Sequence, residues 1–124
     1  SVSPDVEIKL HEYVESQIDI KNFILYNLTN IYIGNNDWPG NNRKFWKEKN
    51  GKWRWILFDT DFAFGLENGH DYSYNSLKYA TNQNCISLSC RNRPWSTVYL
   101  RKLLENKLSF ELTRIIKQFL IAQQ

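Results

Sequence analysis

Residues 35–65 read NNDWPGNNRKFWKEKNGKWRWILFDTDFAFG, and the reading of this stretch decides the fold. Arg43 to Lys49 and Lys52 to Phe58 are rich in aromatic residues and flank Asn50-Gly51. An Asn-Gly pair between two such runs predicts a β-hairpin closed by a type I′ turn, because that turn needs a positive φ at both central positions. A hairpin returns its outer ends to one place, so Asp37 and Asn42 should lie near Asp59 and Asp61. Trp53, Trp55, Leu57, Asp59 and Asp61 share a parity, which puts both carboxylates on one side if the strand stays extended. An acidic pair facing an Asp and an amide suits a hard divalent cation.

Helices flank this hairpin. Ser3 is placed as N-cap, Pro4 as the first helical residue and Asp5 in the first turn, with Val6, Leu10, Tyr13 and Val14 as the buried face. His11 has no second His four residues on and reads as a surface residue. Asp19 caps a second helix over residues 20–33, with Ile20, Phe23, Ile24, Leu28 and Ile31 inward. Asn27-Leu28-Thr29 is a formal glycosylation triplet in mid-helix. Pro39 holds Trp38 extended and Gly40 permits a reversal. Trp38 is expected to seal the core, and Asn41 to hydrogen-bond the loop backbone. From Leu66 to Arg93 the chain turns polar and aperiodic and predicts a long loop, in which His70 and Asp71 are solvated. A helix follows from Thr97 to about Asn106, with Val98, Leu100, Leu103 and Leu104 inward. A last one starts at Ser109, with Phe110, Leu112, Ile115, Ile116, Phe119 and Leu120 as its apolar stripe. The fold class is therefore α+β, mainly helical, with helices around one β-hairpin.

Composition sets the outer bounds. A chain of 124 residues is one domain or a piece of one, and 42% hydrophobic content with five Trp can form a core. It contains no Met and starts Ser-Val-Ser-Pro, the expectation for a segment cut or processed from a longer protein. A net charge of +3, with Lys and Arg scattered along the hairpin and last helices, argues against nucleic acid, and no apolar run reaches the length of a membrane span. Cys85 and Cys90 lack companion ligands for zinc; a local disulfide and two free thiols both remain open.

The order of parts sharpens the chemistry. In protein kinases a catalytic-loop Asp is followed five residues later by a metal-binding Asn, and after a hairpin comes the Asp of Asp-Phe-Gly. Here Asp37 and Asn42 stand five apart, a hairpin follows, and Asp59 opens DTDFAFG. With the preceding IDIKNFILYNLTNIYIGN, this set resembles the spore coat protein H (CotH) family of atypical, secreted-type protein kinases, closely over residues 18–65.

The resemblance implies a kinase-like C-terminal lobe, with residues 1–124 a single fragment of a larger CotH-like kinase domain whose N-terminal lobe is absent. It implies Asp37 as the catalytic residue, Asn42 and Asp59 as cofactor-binding residues, and Asn42, Asp59 and Asp61 as metal ligands. The secretory-pathway casein-type kinases place a similar Asp six residues before a Gly, as Asp59 stands before Gly65, which favours Asp59 over Asp61 as the main ligand. It further implies ATP with Mg2+ or Mn2+ as cofactors, a protein substrate with Ser or Thr acceptors, and a bacterial location in a spore coat or at the cell surface. No Gly-rich phosphate loop and no strand Lys with an acidic partner precede Asp37, so the isolated chain is expected to be catalytically dead or nearly so. Two other classes stay open: a non-catalytic assembly protein with a pseudokinase fold, and a carbohydrate-binding module using Trp38, Trp46, Trp53 and Trp55.

Overall fold

The computed structural model describes residues 3–66, 73–84, 92–105 and 114. Along them run α1 (Pro4–Gln17), α2 (Ile20–Tyr32), β1 (Lys44–Trp46), β2 (Arg54–Ile56), α3 (Ser76–Thr81) and α4 (Val98–Glu105). Among the described residues this is a small α+β domain of four helices and one two-stranded antiparallel sheet.

α2 is the axis of the core. Asp19 accepts the Asn22 backbone N–H at 3.0 Å and so caps the first turn, as its position predicts. The inward face places Phe23, Ile24 and Tyr26 against Trp38, Ala80, Leu100 and Leu103, with Ile20, Leu28, Ile31 and Trp55 packed around them. Phe23 is the hub, its ring 4.7 Å from Trp55 and 4.8 Å from Tyr99. In its second half the buried positions pass to Asn27 and Asn30. Their amides donate back to the carbonyls of Phe23 and Tyr26 at 2.7 and 2.9 Å, which is how a buried side-chain amide is satisfied inside a helix. Asn27 is thereby sealed against glycosylation in the folded chain.

The hairpin forms where expected, but its turn differs. Lys44 pairs with Ile56, Phe45 with Trp55 and Trp46 with Arg54. The Gly51 N–H donates to the Glu48 carbonyl at 3.0 Å, so Lys49 and Asn50 are the central residues, and neither Asn50 nor Gly51 takes a positive φ. The type I′ expectation fails because register is set at the other edge of β2. There the Trp53 N–H donates to Gln17, and the Trp53 carbonyl accepts from Asp19, at 2.8 and 3.0 Å. The Asn22 side chain grips Trp55 from both sides, accepting its N–H at 2.6 Å and donating to its carbonyl at 3.2 Å. A register shifted by one would turn Trp55 away from Phe23, so the core and not the turn selects the pairing.

Four further expectations change. Val6, Leu10 and Tyr13 on α1 are 53, 62 and 64% exposed, because α1 joins the domain through its C-terminal end, at Gln17 and Ile18, rather than through that stripe. Ser3 stands at the N-cap of α1 but its side chain makes no capping bond. The polar stretch after Leu66 contains α3, a helix of six residues capped by Asn75, too short to show a period. α4 buries Leu100 and Leu103 but leaves Val98 and Leu104 exposed. His70, Asp71, Cys85, Cys90 and the helix from Ser109 lie outside the described residues, apart from Arg114.

Asn22→Leu should remove both bonds to Trp55 and leave its N–H and carbonyl unpaired. The expected loss is about 1–3 kcal/mol of unfolding free energy, read as a lower urea midpoint at unchanged slope, with Asn22→Asp losing less because it keeps the acceptor.

Candidate active site

α2 stops in a way that aims the chain. Gly34 follows the C-cap Ile33 with φ +62, its N–H bonding to the Ile31 carbonyl and the Asn35 N–H to the Asn30 carbonyl. This paired closure needs a left-handed residue after the cap, which glycine supplies without strain. The asparagines then relay the helix end into the loop. Asn35 donates its amide to the Asn30 side-chain oxygen at 2.9 Å, and its own oxygen accepts the Asp37 N–H at 3.1 Å.

Asp37 is only 7% exposed. Its Oδ2 accepts from the side-chain amides of Asn41 at 2.8 Å and Asn42 at 2.7 Å. Charge-assisted bonds of this length fix both the position and the rotamer of a carboxylate. Asn41 was expected to bind the loop backbone with its side chain; instead its backbone N–H does so, to the Asp37 carbonyl, and its amide goes to the carboxylate. Asn42 reaches Asp37 from a left-handed backbone (φ +49), a conformation asparagine tolerates. Its amide nitrogen is spent on Asp37, and its oxygen is the group it can offer a cation.

The far end of the hairpin is tied to the same loop. The Asn36 N–H donates to the Phe62 carbonyl at 3.2 Å and the Phe64 N–H to the Ile33 carbonyl at 2.7 Å, with Ala63 fully buried between them. The strand does not stay extended to Asp61: β2 ends at Ile56 and Asp59 has φ +51. Strand parity therefore does not align Asp59 with Asp61, yet the two carboxyls still meet. Asp59 and Asp61 share a hydrogen bond, and this raises the Asp59 pKa above 3.8; the Asp61 charge, some desolvation and the Asp37 charge push the same way, while Lys44 opposes them. Crowding by Asp61 makes the ionised form of Asp59 less favourable, and carboxylate oxygens are the ligands a hard divalent cation prefers. Among the described residues no hydrogen bond joins Asn42 to Asp59 or Asp61, and no group of three or more His, Cys, Asp or Glu forms a metal cluster.

Trp38 seals the core as expected, buried beneath the loop. The Tyr26 phenol beside it is pushed up to about 12 by burial, against the smaller opposing effects of the Arg43 charge and the Trp38 indole, so it is no base at neutral pH. Of the four rings considered as a sugar platform, Trp38 is buried and Trp55 packs on Phe23, which leaves Trp46 and Trp53 at the surface. The residues that the motif alone missed are Asn30 and Asn35. One signal was legible: Asn27 and Asn30 continue the spacing of Phe23, so a polar pair occupies a core stripe.

A family model described as CotH kinase protein matches residues 5–120. The chain belongs to the CotH kinase protein family. No curated protein and no solved structure matches it. Membership makes the chain part of a kinase family, and kinases in general use ATP and a divalent cation. Among the described residues, no helix is long and apolar enough to cross a membrane.

The raised Asp59 pKa has a consequence for stability. A carboxyl whose folded pKa lies above its unfolded value of 3.8 stabilises the fold fully below that value and loses this contribution as pH rises through the folded pKa. Asp61→Asn removes the largest cause, so without divalent cation its stability should fall less than that of wild type as pH rises from 3.8 to neutral. Urea midpoints across that range and an NMR titration of the Asp59 carboxyl read the effect.

Proposed function

We propose that this chain supplies the catalytic loop and the metal-holding carboxylates of an atypical protein kinase, which transfers the γ-phosphate of ATP to a Ser or Thr hydroxyl of a protein. The observation that carries the reading is the Asp37 carboxylate, buried and clamped by Asn41 and Asn42, with its charge felt at Asp59 at the far end of the hairpin.

Phosphoryl transfer asks a protein mainly to position groups and neutralise charge. Asp37 orients the acceptor hydroxyl and takes its proton as the oxygen bonds to the γ-phosphorus. The bond to the bridging oxygen breaks, and ADP leaves with that electron pair. The Asn42 oxygen and Asp59 hold the cation, with Asp61 a further ligand. Mg2+ or Mn2+, when bound, neutralises the phosphate oxygens. The clamp on Asp37 keeps its oxygen aimed without reorganisation during the reaction, where electrostatic help is worth most. On this reading the phosphate-covering loop and its Lys lie in chain outside residues 1–124, and the 124-residue chain alone transfers little phosphate.

The test is γ-phosphate transfer by a protein spanning the complete kinase domain, with Mg2+ or Mn2+. Asp37→Asn and Asp59→Asn should each lower kcat by roughly 10²–10⁴ while the fold persists by circular dichroism, and Asp61→Asn should lower it less. Equal silence of wild type and all variants, each folded and none binding nucleotide, would sink the reading.

A further inference from the structure

Among the described residues β2 is bonded on both edges, and β1 on one. Asn22 occupies both the N–H and the carbonyl of Trp55 from the side away from β1. In an antiparallel ladder the bonded pairs alternate, so Phe45 and Trp55 form the non-bonded pair, and Lys44–Ile56 and Trp46–Arg54 carry the ladder. The Phe45 N–H and carbonyl therefore point outward, and among the described residues no hydrogen bond reaches them. An open edge of this kind is a template for another strand.

The hairpin that carries this edge is also strongly charged. Six of the chain's 16 Lys and Arg, against one of its 13 Asp and Glu, fall between Arg43 and Arg54, so this segment carries +5 and the remainder −2. Among the described residues only Arg54 of these six is ion-paired, to Asp19 at 3.1 Å. Lys44, Lys47 and Arg43 lie over the rings of Phe58, Trp53 and Trp95 at 4.2, 5.8 and 4.8 Å, and Lys47 and Arg43 also donate to Gln17 Oε1 and the Ser96 carbonyl at 3.5 and 3.4 Å. Edge lysines also discourage self-pairing, but that does not account for Phe45 and Trp46 standing 57 and 41% exposed among them. β1 starts two residues after Asn42, so a strand laid along it has one end beside the Asp37 loop.

We propose that the free edge of β1 docks the acceptor protein, which adds an extended acidic segment as a third strand and thereby presents its hydroxyl to Asp37. Only that last step rests on the kinase reading. Charge complementarity selects the acidic segment, and the outward backbone groups of β1 hold it extended.

The test is fluorescence anisotropy without nucleotide, using a labelled peptide of alternating Glu and Val with one Ser. Binding should weaken with salt and be lost when Lys replaces Glu. N-methylation of alternate residues should weaken binding roughly tenfold or more in one of the two registers and little in the other, the signature of strand addition. Phe45→Pro, which removes an outward N–H, should weaken it similarly, and Phe45→Ala much less. Equal binding of the Lys peptide, or indifference to N-methylation in both registers, overturns the proposal. So does concentration-dependent self-association that the peptide fails to compete, which would assign the edge to a second copy. Docking with no phosphate transfer by the complete kinase domain would leave the edge standing and remove the kinase reading. Transfer to acidic and basic peptides alike, with no register effect, would do the reverse.

Discussion

The grip of the Asn22 amide on the Trp55 backbone is the constraint on which the rest of this structure depends. A two-stranded hairpin has little stability of its own. Here it is held because α2 offers β2 a side chain that imitates a neighbouring strand, accepting one backbone group and donating to the other. The bracket sets which face of β2 meets Phe23, and with it the register of β1. Register in turn returns the chain from the hairpin to the loop, where the Asn36 N–H meets the Phe62 carbonyl.

Asparagine does a second job at the end of the same helix. From Tyr26 through Asn30 and Asn35 to the Asp37 N–H, each link is a directional bond between groups removed from water. Such a relay is costly if broken, since every member would be left buried and unpaired, and this stiffens the loop that carries Asp37. The opposite holds at Asp59 and Asp61, where exposed like charges crowd together and are only partly offset by Lys44. One carboxylate is fully clamped, and the other pair is left under electrostatic tension.

Much of this was legible beforehand. Asp37, Asn42, Asp59 and Asp61 stand out because their order and spacing accompany a hairpin, and the cap at Asp19 and the inward Phe23 and Ile24 follow from short-range rules. The turn departs from the type I′ form because Asn50-Gly51 states a local preference that the α2–β2 contact overrides. The α1 stripe stays exposed for a related reason: periodicity reports that a face is apolar, not that anything in the fold lies against it.

The sequence by itself determined the chemistry available, namely which carboxylates and amides stand at the two ends of the hairpin, and the family to which the chain belongs. Tertiary structure alone decided how those groups are used. Asn41 and Asn42 both turn to Asp37, Asp59 meets Asp61 through a left-handed backbone rather than an extended one, and among the described residues no hydrogen bond reaches the outer edge of β1. These outcomes depend on bonds between residues distant along the chain, such as Asn22 with Trp55 and Asn36 with Phe62. No local propensity encodes them, because the energy that selects them exists only once α2 and the hairpin are packed together.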